Sequence, residues 1–307
     1  MALRLVGHVE LPPNKKIGGF DHAAVHRATA RVYVAHTAND AIDVIDAVAL
    51  RYLASIEKLP AVAGALVSDD RNLVFTSNRG ENTVGMFTPG DETGLVRVAV
   101  GIKPNGLAYD AERNVLLAAN VGDPAIAGSH TVTAVDVGQR AVAADIPVAG
   151  RTRWTVFDAV SQAFYVNIME PAEIVVIDSS KLRVTRAFKI PAAGPHGLDI
   201  DPKLRRLFCA CDAGVLAAVH IDSGEVLDVV PLAGAPDVIF FNPRLRHLYV
   251  AIGDPGVIEV FDVDPLRRIE VIRTEAGAHT LAFDADRDTV YAFLPESHRA
   301  SVYVDRS

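Results

Sequence analysis

The sequence has no apolar run approaching the roughly 20 residues that a membrane-spanning helix requires. It also has no run of basic residues, and its net charge is −8, which argues against a nucleic acid or an anionic membrane as partner. The first residues, up to Val6, contain no apolar core long enough for a signal peptide. We therefore expect a cytoplasmic protein, with a trimmed export signal as the alternative.

Cysteine is nearly absent, since Cys209 and Cys211 are the only two. Residues at i and i+2 of one strand share a face but are poorly placed for a disulfide, so we expect two small buried side chains. A thiol at Cys211 that faces a ligand is the alternative. The sequence also lacks the Gly-x-Ser-x-Gly, Walker, His-Glu-x-x-His and Cys-x-x-Cys motifs, so no local motif names a reaction.

The chain does contain a repeat with a period of roughly 40–45 residues. Each copy has a turn, a short apolar strand, a polar turn and a second apolar strand, as in residues 193–208, and two further strands follow. The copies begin at His22, Gly64, Gly106, Trp154, Gly197, Val238 and Thr280. Four short strands at this period are typical of a propeller blade, so we predict one all-β domain over residues 1–307, a seven-bladed β-propeller of four-stranded antiparallel blades.

The seventh copy contains only three strands, the last of which is Ser301–Asp305. The segment Arg4–Leu11, at the other end of the chain, matches the pattern of the missing fourth strand. We predict that this N-terminal strand completes the last blade and closes the ring without an unpaired edge. Because a closed ring offers no obvious edge to a second subunit, we expect a monomer.

The segment from Arg31 to Asp46 resembles the YVTN repeat, whose pattern is Tyr-Val-(Ala/Thr)-Asn, a polar turn and Val-x-Val-Ile-Asp. The turn Gly194-Pro195-His196-Gly197 resembles the Gly-x-x-Pro-x-Gly turn that opens the next repeat in that family. The resemblance covers nearly the whole chain. It implies a WD40-like seven-bladed propeller of a superfamily that includes lactonases, lyases, haem d1-binding domains and interaction scaffolds.

In a propeller, the loops that enter the innermost strands open on one face, around the mouth of a central channel. We predict that the residues directly before these strands form a ring at the mouth. The ring contains Asp21, Ala63, Asn105, Arg153, His196, Asp237 and His279. The neighbouring glycines Gly64, Gly106 and Gly197 would leave room for a ligand.

Three consecutive blades contribute His196, Asp237 and His279 to this ring. Two imidazoles and a carboxylate suit general acid–base catalysis. Together with Asp21 they equally suit a divalent metal ion, which is the only cofactor that the residues suggest. The alternative is that these polar side chains have no function and are present only because the channel contains water.

The cation Arg153 lies in the ring, and Arg151, Arg79 and Lys103 lie on loops of the same face. Such a basic spot suits a carboxylate or phosphate of a small substrate. The residues predicted to contact substrate are Arg153, Asn105, His22, Trp154 and, at the ends of second strands, His36, Asn78 and Asn120. The alternatives are packing between blades for Trp154 and stabilisation of turns for the last three.

The ring and the resemblance together predict a small-molecule enzyme whose catalytic residues are His196, His279 and Asp237. The reaction would be that of a lactonase-like hydrolase or a lyase on an acidic or carbonyl-containing substrate. The alternative is a non-catalytic propeller that binds a protein partner, a haem-like ligand or a metal on the same face.

Overall fold

The computed structural model describes residues 2–306 and contains 28 β-strands in seven four-stranded antiparallel sheets. One 3-10 turn, Thr37–Asn39, is the only helical element within these residues. The sheets are the predicted blades, and in each of them the strands are ordered from the channel outward. The predicted all-β seven-bladed propeller is therefore confirmed.

The strands of blades 1 and 2 are β2 (Ala23–His26), β3 (Arg31–His36), β4 (Ala41–Asp46), β5 (Arg51–Ile56), β6 (Val62–Ser68), β7 (Leu73–Asn78), β8 (Thr83–Thr88) and β9 (Asp91–Ala99). Those of blades 3 and 4 are β10 (Pro104–Asp110), β11 (Val115–Asn120), β12 (Thr131–Asp136), β13 (Ala141–Pro147), β14 (Thr152–Asp158), β15 (Ala163–Ile168), β16 (Glu173–Asp178) and β17 (Arg183–Lys189). Those of blades 5 and 6 are β18 (Pro195–Asp201), β19 (Arg206–Cys211), β20 (Val215–His220), β21 (Val226–Pro231), β22 (Pro236–Asn242), β23 (His247–Ile252), β24 (Val257–Val263) and β25 (Leu266–Arg273).

Blade 7 joins the two ends of the chain. Its strands are β26 (Thr280–Asp284), β27 (Thr289–Leu294), β28 (Arg299–Asp305) and β1 (Leu3–Glu10). Strand β1 pairs antiparallel with β28, so that Leu3 faces Asp305 and Glu10 faces Arg299. The predicted closure of the ring by the N-terminal strand is thus confirmed.

The hydrophobic core lies between the blades rather than inside any one of them. It consists of seven clusters, and each cluster takes its side chains from two neighbouring blades. Because both faces of the second and third strands are covered in this way, these strands are apolar along most of their length, whereas outer strands such as β21 are exposed. The centre of the second strand carries a fully buried aromatic ring in most blades: Tyr33, Phe75, Tyr165, Phe208, Tyr249 and Tyr291.

Polar contacts join neighbouring blades at the face opposite the mouth, which we call the rear face. The turns between the first two strands of each blade meet there, and arginine side chains reach from one turn to the next. Every interface between blades has such a contact: Arg27–Asp69, Arg71–Ala111, Arg113–Gln162, Arg205–Asp158, Arg246–Asp201, Arg244–Asp288 and Arg27–Asp286. This ring of contacts holds the blades in register independently of the apolar core.

Both cysteines are free and fully buried in the cluster between blades 4 and 5, and their sulfur atoms are 3.9 Å apart. The interpretation of Cys209 and Cys211 as small buried side chains is therefore confirmed. Within residues 2–306, no helix is long and apolar enough to cross a membrane.

Candidate functional site

The ring residues occupy a β-bulge at the start of the inner strand. In blades 2 to 6, the pairing of the first two strands shifts register at Ala63, Asn105, Arg153, His196 and Asp237. The prediction that these residues precede their strands is corrected here, and only Asp21 and His279 do so. A bulge leaves one residue unpaired and turns its side chain out of the regular alternation, which explains how these side chains reach the mouth.

His196 is held by two carboxylates. Its Nδ1 atom lies 2.7 Å from Oδ1 of Asp212, and its Nε2 atom lies 3.1 Å from Oδ1 of Asp237. Arg153 lies against the same group, with one guanidinium nitrogen 3.3 Å from Nε2 of His196 and the other 3.4 Å from Oδ2 of Asp212. Blades 4, 5 and 6 thus place two cations and two anions in one cluster.

Asp237 links His196 to His279. Its second oxygen, Oδ2, lies 3.8 Å from Nε2 of His279. The three residues predicted to be catalytic are therefore neighbours at the mouth. The side chain of His279 is 37% exposed and that of His196 only 14%, so His279 is the imidazole that a dissolved molecule reaches more readily.

The other side of the mouth is built around Arg79. Its guanidinium binds Oδ2 of Asp21 at 3.1 Å and Oδ1 of Asn105 at 2.5 Å. The remaining oxygen of Asp21 lies 3.2 Å from Nε2 of His22. Asp21 is therefore committed to a cation and an imidazole of blades 1 and 2.

Trp154 closes the channel below the ring. It comes from blade 4, yet its ring centroid lies 4.0 Å from that of His22 in blade 1 and 6.4 Å from that of Phe240 in blade 6. Because blades 1 and 4 lie on opposite sides of the ring, the indole spans the channel. The indole also packs against the apolar clusters between blades 4 and 5 and between blades 6 and 7, as the alternative of packing between blades implies. Its span across the channel was not predicted.

The environment gives two histidines of the mouth, His196 and His22, opposite charge states. Burial disfavours protonation of His196, but Asp237 and Asp212 outweigh it and raise the pKa of His196 to about 9. Burial lowers the pKa of His22, against the opposing effects of Asp21 and Asp237. At neutral pH, His196 is therefore a cation and His22 is neutral.

The carboxylates around His196 stay ionised. Burial alone would raise their pKa values, but His196 outweighs it and holds the pKa of both Asp237 and Asp212 below its usual range. Burial lowers the pKa of Arg153, which nevertheless stays a cation because a guanidinium loses its proton only at very high pH. The cluster thus presents fixed charges of both signs at the mouth.

Sequence reasoning missed Asp212. It assigned contacts with substrate to the last residue of the second strands, whereas the residue that follows is the one that reaches the mouth. Arg79 and Asp212 directly follow strands β7 and β19 and point into the mouth. The predicted residues one position earlier are buried: His36 bonds to Asp43 at 2.7 Å, while the side chains of Asn78 and Asn120 bond to Thr83 and Thr131.

Successive side chains of a strand point to opposite faces. A residue that points into the mouth is therefore preceded by one that points into the interior of the blade. The structure therefore does not bring His36, Asn78 and Asn120 together with the ring, and their contacts match the turn-stabilising alternative. The signal that could have identified Asp212 is the charged residue one position beyond the second strand, which blade 2 also has as Arg79.

The glycines beside the ring make room for the next blade and not for a ligand. A Cβ atom on Gly106 would lie 2.5 Å from the carbonyl oxygen of Arg153, and one on Gly197 would lie 2.3 Å from that of Asp237. Only glycine permits this approach of two backbones. The prediction that these glycines leave room for a ligand is therefore wrong, because the space beside them is occupied by the backbone of the next blade.

Two grooves leave the mouth. One, of about 590 Å³, is lined by His196, Asp212, Asp237, His279 and the turn around Asp254. The other, of about 620 Å³, is basic and is lined by Arg79, Lys103, His130, Arg151, Met169 and Glu170. The long turn of blade 3 forms one wall of this second groove. The predicted basic spot thus lies beside Arg153, whose guanidinium also contacts the sulfur of Met169.

The side chains of the ring do not form a metal site. Among residues 2–306, no three His, Cys, Asp or Glu side chains are arranged to hold a metal ion. Both nitrogens of His196 face carboxylates, and Asp21 is bound to Arg79. A metal at His196, His279, Asp237 and Asp21 stays a prediction that this arrangement does not favour.

No family model and no curated protein matches the chain. Among solved structures it is similar to Kuenenia stuttgartiensis hydrazine synthase, with a TM-score of 0.81 and 13% identity over 94% of this chain and 96% of that chain. It is also similar to a chain of the mitotic checkpoint complex, with a TM-score of 0.83 and 10% identity over 99% of this chain and 92% of that one. These similarities show the seven-bladed propeller fold and leave the YVTN family unconfirmed.

Proposed function

We propose that the mouth is the active site of a small-molecule hydrolase of the lactonase-like kind, acting on a substrate that carries a carboxylate. The observation that carries this proposal is the position of His196, whose imidazole is held between Asp212 and Asp237 at the edge of a groove. A fixed imidazolium next to a groove is suited to donating a proton to an oxygen leaving group.

His279 is the base in this proposal. His279 combines an exposed imidazole with a carboxylate that can orient it, Asp237. His196 and His279 lie on the two oxygens of the same carboxylate, so the acid and the base face one region of the groove.

Arg153 and the basic groove supply the substrate specificity. A guanidinium binds a carboxylate through paired hydrogen bonds, and Arg153 lies next to the proposed acid. Arg79, Lys103 and Arg151 add positive charge along the adjoining groove. An acidic substrate is therefore favoured although the protein as a whole is acidic.

The reaction would proceed by attack of water on the carbonyl carbon of the lactone. His279 takes the proton of the attacking water, and the new carbon–oxygen bond forms. The ring carbon–oxygen bond then breaks, and His196 gives the departing alkoxide the Nε2 proton that it shares with Asp237 before substrate binds. The product is a hydroxy acid, and the proton on His279 returns to His196 through solvent.

The proposal is tested by pH-stat assay of the purified full chain against a panel of carboxylate-bearing γ-lactones. We expect His196→Gln and His279→Gln each to lower kcat/KM by at least about 100-fold, the usual contribution of a positioned acid or base. His8→Gln, which removes a histidine from the outer strand β1, is the matched control and should leave kcat/KM unchanged.

A thermal-shift screen with the same carboxylates provides a second readout. A ligand at a hundredfold excess over its dissociation constant adds roughly 2.7 kcal/mol to the stability of the folded state. Full activity in His196→Gln would contradict the proposed role of His196. A stable protein that neither hydrolyses nor binds any member of the panel would instead support the non-catalytic scaffold.

A further inference from the structure

A second cavity, distinct from the mouth, lies on the other side of Trp154. It has a volume of about 440 Å³ and runs along the inner strands to the turns of the rear face. This is the size range of cavities that bind small molecules. His22 and Trp154 form its roof, and Asp69, Asp70 and Ala111 lie at its outer end.

The walls of this rear cavity are mostly apolar and aromatic. Leu66, Val156 and Phe240 line its middle, and Tyr109 and Phe157 lie nearer to the rear face. Aromatic faces carry partial negative charge and attract organic cations. The walls by themselves would therefore accept either an apolar molecule or a cation with apolar substituents.

One carboxylate decides between these two kinds of ligand. Asp199 lines the cavity at a position of the inner strand where the other six copies of the repeat have only apolar residues: Ala24, Leu66, Ala108, Val156, Phe240 and Ala282. It accepts backbone hydrogen bonds from Phe241 at 2.6 Å and Ile200 at 2.8 Å, one on each oxygen. Since a carboxylate has about four acceptor positions, each oxygen can accept a further bond.

Asp199 has no counter-charge in the part of the chain that the structure describes. The roof residue His22 is neutral at neutral pH, and the one cation of the lining, Arg27, is bound to Asp69 and Asp286. A second carboxylate, Asp70, adds negative charge at the outer end. Asp199 is partly exposed to a cavity whose walls are mostly apolar, and two backbone N–H groups only partly satisfy its oxygens. A carboxylate in such surroundings is costly without a cation, so the cavity favours a positively charged guest.

From these observations we infer that the rear cavity is a binding site for a small organic ammonium ion, with Asp199 as its counter-ion and aromatic walls around its substituents. Such a ligand enters from the rear face and is separated from the proposed catalytic groove by Trp154 and His22. The inference is independent of the reaction proposed for the mouth.

The chain contains its own reporter for this site. Trp154 is the only tryptophan, and it lies in the roof of the cavity. We would titrate the full chain at pH 8 with benzylammonium chloride and follow both tryptophan fluorescence and the heat of binding. Benzyl alcohol, which has the same ring and no charge, is the matched probe.

We expect saturable one-to-one binding of benzylammonium, at least about tenfold tighter than that of benzyl alcohol, as a charge-assisted hydrogen bond implies. Equal affinity for the two probes would overturn the inference, because the cavity would then be only an apolar hole. An absence of saturable heat with benzylammonium would overturn it as well.

Two substitutions test whether the cation is attracted by Asp199 itself or by the overall negative charge of the protein. Asp199→Asn should weaken benzylammonium binding by at least about tenfold and leave benzyl alcohol binding nearly unchanged. Asp70→Asn removes the same charge from the outer end and should change binding by less than about threefold. If Asp199→Asn melts at a lower temperature but keeps the preference for the cation, Asp199 only joins blades 5 and 6 and the inference fails. If that variant does not fold, the comparison of the two probes on the unaltered chain decides alone.

Discussion

The Nδ1 atom of His196 lies 2.7 Å from Oδ1 of Asp212, which comes from the turn after the second strand of the same blade. This contact joins a residue in a bulge of the inner strand to a residue just beyond its hairpin partner. It leaves Nε2 of His196 to face Asp237 of the next blade and Arg153 of the previous one. The charge of the mouth therefore depends on three blades at once.

The first prediction concerns the proton on His196. We expect nuclear magnetic resonance to give a pKa of about 9 for this imidazole in the folded chain. Asp212→Asn should lower that pKa by about one unit, because one charge-assisted hydrogen bond is lost. A pKa near 6.5 in the unaltered chain would contradict the proposed acid. His8→Gln serves as the assignment control.

The same group predicts how stability depends on pH. The folded pKa of His196 is raised above the value of 6.5 expected for the unfolded chain, so its contribution is complete below pH 6.5 and is lost as the pH rises to about 9. Urea unfolding at pH 6 and pH 9.5 should show that the unaltered chain loses on the order of 2 kcal/mol more than His196→Gln over this interval. Parallel losses in the two proteins would show that His196 does not titrate in this window.

Gly197→Ala tests the close approach of blades 5 and 6. Its Cβ atom would lie 2.3 Å from the carbonyl oxygen of Asp237, so the two inner strands must separate. We expect a loss of about 2 kcal/mol or more of unfolding free energy, as for other overpacked sites. Gly253→Ala is the matched control at the same face, since its Cβ atom would meet its neighbours only at ordinary contact distances from 3.4 Å. Equal stability of the two variants would refute this account.

The contacts on the rear face predict that two arginine substitutions lower the free energy of unfolding by very different amounts. Arg205 binds Asp158, whose side chain is 1% exposed, so Arg205→Met leaves a buried carboxylate without its cation. Chemical unfolding should show a loss of about 3 kcal/mol. Arg267→Met breaks an exposed pair with Asp262 and should cost less than about 0.5 kcal/mol. Similar losses in both variants would mean that the rear contacts contribute little.

The rear cavity predicts a pH dependence of cation binding. Burial raises the pKa of Asp199 to about 7, against the opposing effect of its two backbone hydrogen bonds. Because only the ionised form pairs with an ammonium ion, the affinity for benzylammonium should rise as the pH increases from 6 to 8. The other charged or titratable groups that line the cavity are His22, Arg27, Tyr109 and the carboxylates Asp69 and Asp70. His22 is already neutral, and the pKa values of Arg27 and Tyr109 are raised further above this range, the first by Asp69 and the second by burial. Calorimetric titrations at several pH values would contradict this if the affinity were constant.

The order of the strands followed directly from the sequence. A period of four short apolar runs specifies the blade, because each run has the length and alternation of a strand. The missing fourth strand of blade 7 and the unassigned segment before His22 identified the closure through β1. Local pattern was sufficient for the blades because hairpin pairing involves residues that are close in the chain. The closure pairs the two ends of the chain, and it followed from the incomplete seventh repeat.

The grouping of ring residues also followed from the repeat, and the structure brings His196, Asp237 and His279 together. Their precise setting did not follow. The bulges that turn these side chains toward the mouth were not predicted. Asp212 was missed because the contacts to substrate were assigned to the last residue of the second strands and not to the residue that follows. Successive side chains of a strand point to opposite faces, so an error of one position becomes a complete error in direction.

The sequence by itself determined the number of blades, the closure of the ring and the ring residues that the starts of the inner strands bring to the mouth. Only the tertiary structure decided which charges meet there and how the channel is divided. Trp154 spans the channel to His22, and beneath it Asp199 has no counter-charge among residues 2–306. Such relationships join residues of different blades, and their energies come from distance and burial across the ring, which no local pattern along the chain contains.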